Sequence, residues 1–109
     1  MASTYKVLGQ VNPSATTATT LYTVPSSTEA VVSTITVANQ SASSTTYRIA
    51  VRPDGETLEA KHYIVYDTSI AANDNHTYTI GLTVNATDVI TVYAASASLS
   101  FNAFGSEIA

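Results

Sequence analysis

The chain has 109 residues, enough for one domain of common size and too few for two separate cores. Charged residues make up 11% of it, against about a quarter in ordinary soluble domains, while 45% is hydrophobic, so Ser, Thr and Asn must supply most of the polar surface. A net charge of -4 with only four basic residues, Lys6, Arg48, Arg52 and Lys61, offers no cationic patch for a run of phosphates, which argues against nucleic acid and anionic membranes as partners.

The opening "MASTYKVLGQ" has no signal-peptide apolar core after its single lysine, and no later segment approaches about eighteen consecutive apolar residues, so synthesis in a cytoplasm is expected. Residues 1–20 read as an extended N-terminal arm with a short strand around Lys6 to Leu8, uncharged apart from Lys6 and able to add a strand to a neighbour. A β-sandwich domain is expected over 21–109. It opens with "TTLYTV", and Pro25 and Ser26 punctuate the join to the next strand. From Val31 the side chains of Val31, Ser33, Ile35 and Val37 are expected on one face, and those of Val32, Thr34, Thr36 and Ala38 on the other. Threonine suits the wetter face, because its branched Cβ favours extended backbone and its hydroxyl is content in water.

"TTYRIAVR" alternates Tyr47, Ile49 and Val51 against Arg48, Ala50 and Arg52, and "PDG" at Pro53 to Gly55 supplies a turn. "GETLEAKH", Gly55 to His62, is the only stretch of helix formers, and at most one turn is expected there. "HYIVYDT" reads as a strand, then "TYTIGLTV" with Tyr78, Ile80, Leu82 and Val84 on one face, then "DVITVYA" across the turn "NATD", then "ASLSFNAFG". The expected fold is all-β: a single antiparallel β-sandwich of about eight strands, jelly-roll-like. Its core is assigned to Ile35, Val37, Ile49, Val51, Ile80, Leu82, Val92, Leu99 and Phe101.

Chemistry is sparse. With no cysteine, disulfides, thiolate metal sites and a cysteine nucleophile are all excluded. Asp74 and His76, two apart, could share one strand face as metal ligands or an acid-base pair, but no third ligand is nearby and a polar turn explains them. Asp54, Glu56 and Glu59 cluster around the turn, where a solvated loop accounts for them better than a catalytic pair. No serine stands in a nucleophile-elbow pattern, and no glycine belongs to a phosphate-cradling loop. Sequons at Asn39, Asn75 and Asn85 are matches expected by chance in a chain rich in Asn and Thr. Tyr22, Tyr47, Tyr63, Tyr66, Tyr78 and Tyr93 fall in expected strands, where core and edge packing is favoured over an aromatic sugar-binding platform. No catalytic, cofactor-binding or metal-binding residue is assigned.

The stretches "VLGQVNP", "LYTVPSSTEAVVSTITVANQS", "YRIAVRPDG" and "HYIVYDTSIAANDNHTYTIGLTVNATDVITVYAASASLSFNAFGSEI" together cover most of the chain. They resemble short β-sandwich virion structural proteins of tailed bacteriophages, of the type found in phages of marine bacteria and cyanobacteria. The resemblance implies a non-enzymatic component made in the host bacterial cytoplasm and built into the virion. Its length favours a capsid decoration or cement protein; the alternatives are a small tail, baseplate or neck component, or a host-glycan-binding module. Implied partners are major capsid or tail proteins and further copies of the chain, a homo-oligomer and plausibly a trimer.

Overall fold

The computed structural model describes residues 3–109. Eight strands follow in order: β1 Ser3–Val11, β2 Thr19–Thr23, β3 Glu29–Asn39, β4 Thr45–Arg52, β5 Tyr63–Ile70, β6 Asn75–Val84, β7 Val89–Ala94 and β8 Leu99–Ile108. Between β4 and β5 lie two single 3-10 turns, Pro53–Gly55 and Ala60–His62, in the one segment where helix formers are concentrated.

The strands form two four-stranded antiparallel sheets, β1-β8-β3-β6 and β2-β7-β4-β5. Strands 1 and 8, 2 and 7, 3 and 6, and 4 and 5 are therefore partners, as when a long hairpin is rolled into two layers. That is a jelly-roll order, which gives the eight-strand sandwich expected from the sequence a strand order that the sequence alone does not.

The N-terminal segment is more than a short strand on an arm. All nine residues of β1 belong to the edge of the first sheet, which pairs with β8 from Ser3 opposite Ile108 to Val11 opposite Phe101, with a bulge at Leu8. At Gly9 this strand runs so close to β2 that an added Cβ would strike the carbonyl oxygen of Leu21.

Ile35, Val37, Ile49, Val92, Leu99 and Phe101 are buried between the sheets as expected, and Val51 and Leu82 pack against them half-buried. Ile80 does not: it is 40% exposed. Gly81 takes a φ of +57° beside it, and the β3–β6 register slips between Val32–Leu82 and Thr34–Thr79, leaving Ile80 pointing outward. The same bulge level crosses β3 at Ser33. Before it Ala30 and Val32 face the core; after it Ile35, Val37 and Asn39 do. The uninterrupted alternation expected from Val31 is thus wrong at its start, because one extra residue reverses which parity points inward. Gly105 on β8 fits against this irregularity, where any Cβ would collide with the carbonyl of Val31.

Buried side-chain polar atoms are paired throughout the described residues. Asn39, 3% exposed, donates from Nδ2 to the carbonyls of Ser43 and Ala71 and accepts at Oδ1 from the Ser41 amide and the Ser98 hydroxyl. This sequon asparagine is consumed in tying three loops together at one end of the sandwich.

Candidate functional site

The two outer faces of the sandwich differ in chemistry. On the β1-β8-β3-β6 sheet the outward side chains within the strands are Thr, Ser, Asn, Gln and apolar residues, with Glu29 at one end as the sole charge. Across its middle, Tyr5 and Val7 of β1, Phe104 of β8, Val31 of β3 and Ile80 of β6 lie on neighbouring cross-strand rows. Tyr5 is 86% exposed and Val7 48%. Lys6 points the other way from these two, and its Nζ reaches Glu107 Oε1 at 3.0 Å. The result is a face with an apolar band and a single charge at its end.

The opposite face carries most of the charge. The excursion from Pro53 to His62 folds back over β4 and β7, covering Ala50 and Thr91, which point outward yet are buried. Arg52 braces it, with Nε to the Glu56 carbonyl at 2.7 Å and Nη1 to Thr91 Oγ1 at 3.2 Å. His62 is buried beneath it and fixes its own tautomer: Nδ1 accepts from the Glu59 amide at 3.0 Å, so the proton sits on Nε2 and faces Glu56 Oε1 at 3.2 Å. Asp54 is likewise a structural residue, accepting from the Thr87 hydroxyl while its amide donates to Asp88 Oδ1 at 2.8 Å. Asp54, Glu56 and Glu59 thus each have a role in holding the excursion and the neighbouring turn.

Beside the excursion three of the tyrosines converge. Arg48 projects from β4 with its guanidinium 4.3 Å from the ring centroid of Tyr66 and 4.4 Å from that of Tyr93. Its Nε donates to Asp67 Oδ1 at 2.6 Å, and the carboxylate raises its pKa further above the ordinary arginine value. Tyr63 meets Tyr66 edge to face at 5.0 Å between centroids. Successive residues of a regular strand point to opposite faces, so Tyr66 and Asp67 could not both flank Arg48 without a bulge. Here the β4–β5 register slips between Tyr47–Thr68 and Ile49–Val65, and Asp67 takes a φ of +49°. An open groove of about 490 Å³ runs between Leu58, Glu59 and Ala60 on the excursion and Tyr63 and Tyr66 on β5.

Asp74 and His76, weighed as a pair, are not brought together. Asp74 Oδ1 accepts from the Asn75 amide in the loop before β6, while His76 turns inward, with Nδ1 2.6 Å from the Tyr47 hydroxyl. Tyr47 also bonds the Tyr78 hydroxyl, and burial, then that bond, push its own pKa up. Tyr22 and Tyr47 are core residues, as expected of most tyrosines here. Tyr63, Tyr66 and Tyr93 are not scattered, and the sequence signal for their meeting was the arginine between "TTY" and "IAVR" that needed an outward partner.

The chain matches no family model and no curated protein.

Proposed function

We propose that this chain is a non-enzymatic structural protein of a tailed-bacteriophage virion, a capsid decoration protein that docks through the outer face of its β1-β8-β3-β6 sheet. The observation that carries the reading is the face, charged only at Glu29 on one end, with its band of Tyr5, Val7, Phe104, Val31 and Ile80. Burying an unpaired charge costs several kcal/mol, so a surface that is to be covered by protein is best left neutral. Threonine and asparagine rows can exchange water for partner hydrogen bonds, and the apolar band supplies association energy. The resemblance in sequence supports the phage setting. Partners are the major capsid protein and further copies of the chain, with a trimer as the assembly.

β6 contributes to the same reading as an edge strand of ten residues, "NHTYTIGLTV", without a single lysine, acidic residue or proline to deter pairing. Its protection is the Gly81 bulge.

The test places charge on the face without touching the core, in Val7→Glu and Ile80→Lys. Both variants should fold, and both should lose incorporation into particles and revert to monomer mass. Normal copy number and parent mass in both would reject docking through this face. Hundreds of parent copies per particle indicate the shell; a dozen or fewer would move the assignment to the tail.

A further inference from the structure

The groove on the opposite face has the makings of a ligand site, and its chemistry is distinct from that of the docking face. Its size lies within the about 300 to 1,000 Å³ of small-ligand sites. One wall, Leu58 to Ala60, is set by the buried His62, which holds the Glu59 amide at Nδ1 and returns its own amide to the Glu59 carbonyl at 3.0 Å. The other wall is the Tyr63 and Tyr66 pair. Tyr66 is 58% exposed, yet Arg48 stacks on it and is itself locked by Asp67 and flanked by Tyr93. An exposed aromatic ring held this firmly before anything binds loses little freedom on binding.

We propose that this groove binds a neutral pyranose, stacked on Tyr66. A pyranose ring offers an apolar C–H face to an aromatic ring while its rim of hydroxyls requires donors and acceptors. The groove provides both, with the phenol groups of Tyr63 and Tyr66 and the exposed Glu59 carboxylate, beside which Lys61 Nζ lies at 3.6 Å. Charge selects the neutral class. Glu59 lines the groove, Glu56 and Asp67 stand near it, Arg48 is already neutralised by Asp67, and the chain carries -4 overall, so a carboxylated or sulfated sugar would meet repulsion. Stacking selects a pyranose over a flexible polyol, because only a ring presents a rigid apolar face. The inference does not rest on the virion reading, since Tyr66 and the docking face lie on opposite sides of the sandwich.

The chain has no tryptophan to mask its seven tyrosines, and the assigned ring NMR signals of Tyr63 and Tyr66 report the site directly. The full chain is titrated with maltose, cellobiose and lactose and applied to an array of neutral and anionic glycans. Expected are binding to neutral glycans with shifts at the Tyr63 and Tyr66 rings, a loss of about tenfold or more in affinity for Tyr66→Ala, and a smaller loss for Tyr66→Phe, which keeps the ring and gives up only the hydroxyl. Tyr5→Ala on the other face should bind as the parent does. Silence across all neutral glycans with unmoved ring signals, preference for anionic ones, or binding that survives Tyr66→Ala would each overturn the proposal.

Discussion

The hydroxyl of Tyr47 on β4 lies 2.6 Å from Nδ1 of His76 on β6, so a hydrogen bond joins the two sheets through the interior of the sandwich. Tyr47 is fully buried and its ring meets Phe101 edge to face at 6.0 Å, placing this polar link against the centre of the core. Tyr47→Phe keeps the ring and leaves the His76 and Tyr78 groups short of a partner. A loss of about 1 to 3 kcal/mol is expected, read as a fall in urea midpoint with unchanged slope.

Phe101 and Ile80 were given the same role by alternation, and the structure separates them. Phe101→Ala should cost about 3 to 5 kcal/mol, whereas Ile80→Ala should stay within about 0.5 kcal/mol of the parent. Thermal melts of the two variants side by side check this; equal losses would contradict the outward placement of Ile80.

Glu107 accepts from the Tyr22 hydroxyl at 2.5 Å and from Lys6 at 3.0 Å, and these bonds, the tyrosine's first, hold its pKa below the usual carboxylate range. A carboxylate with a lowered folded pKa stabilises the fold at pH values above its unfolded value of about 4.3, and that contribution disappears as pH falls through the folded value. Stability should therefore drop on acidification below about pH 4. Glu107→Gln should be less stable than the parent at pH 7 and should show a flatter acid limb, as followed by denaturant midpoints across the range.

Gly105 and Gly81 make a second contrast. Gly105→Ala would drive a methyl into the Val31 carbonyl, so a cost of at least about 1 to 3 kcal/mol is expected from overpacking alone. Around Gly81 there is open space, and only its positive φ resists a side chain, so Gly81→Ala should cost about 1 to 2 kcal/mol. Gly81→Asn should recover part of that loss, because asparagine tolerates the left-handed region, while Gly105→Asn should be worse than Gly105→Ala.

Alternation of Val, Ile and Thr was enough to place eight strands, and turn residues such as Pro53 to Gly55 and Asn85 to Asp88 marked joins. Alternation fails wherever an extra residue enters a strand, since nothing in the local period records it. Ser33 reverses the inward parity of β3, and Asp67 shares a face with its neighbour Tyr66. Gly9, Gly81 and Gly105 are the readable hints, because an isolated glycine within a strand pattern suggests a bulge or a close backbone approach. The aromatic groove depends on the β5 bulge and on an excursion folded over a sheet, and both are set by tertiary contacts. Asp74 belongs to the polar turn that its sequence favours, and spacing of two puts it on no common strand face with His76, because the strand begins at Asn75, after the aspartate.

Gly9 and Gly105 have a bearing on how relatives of this chain would be recognised. Most of its surface is written in Val, Thr, Ser and Ala, which can replace one another in a strand at little cost, so rows of them drift quickly and leave a diffuse pattern. The two glycines sit where one backbone presses on another, Gly9 on Leu21 and Gly105 on Val31, and there drift is blocked by geometry. Anchoring a sequence profile on these two points, ninety-six positions apart at opposite ends of the chain, would pick out distant members of the lineage when the threonine-rich stretches between them no longer align.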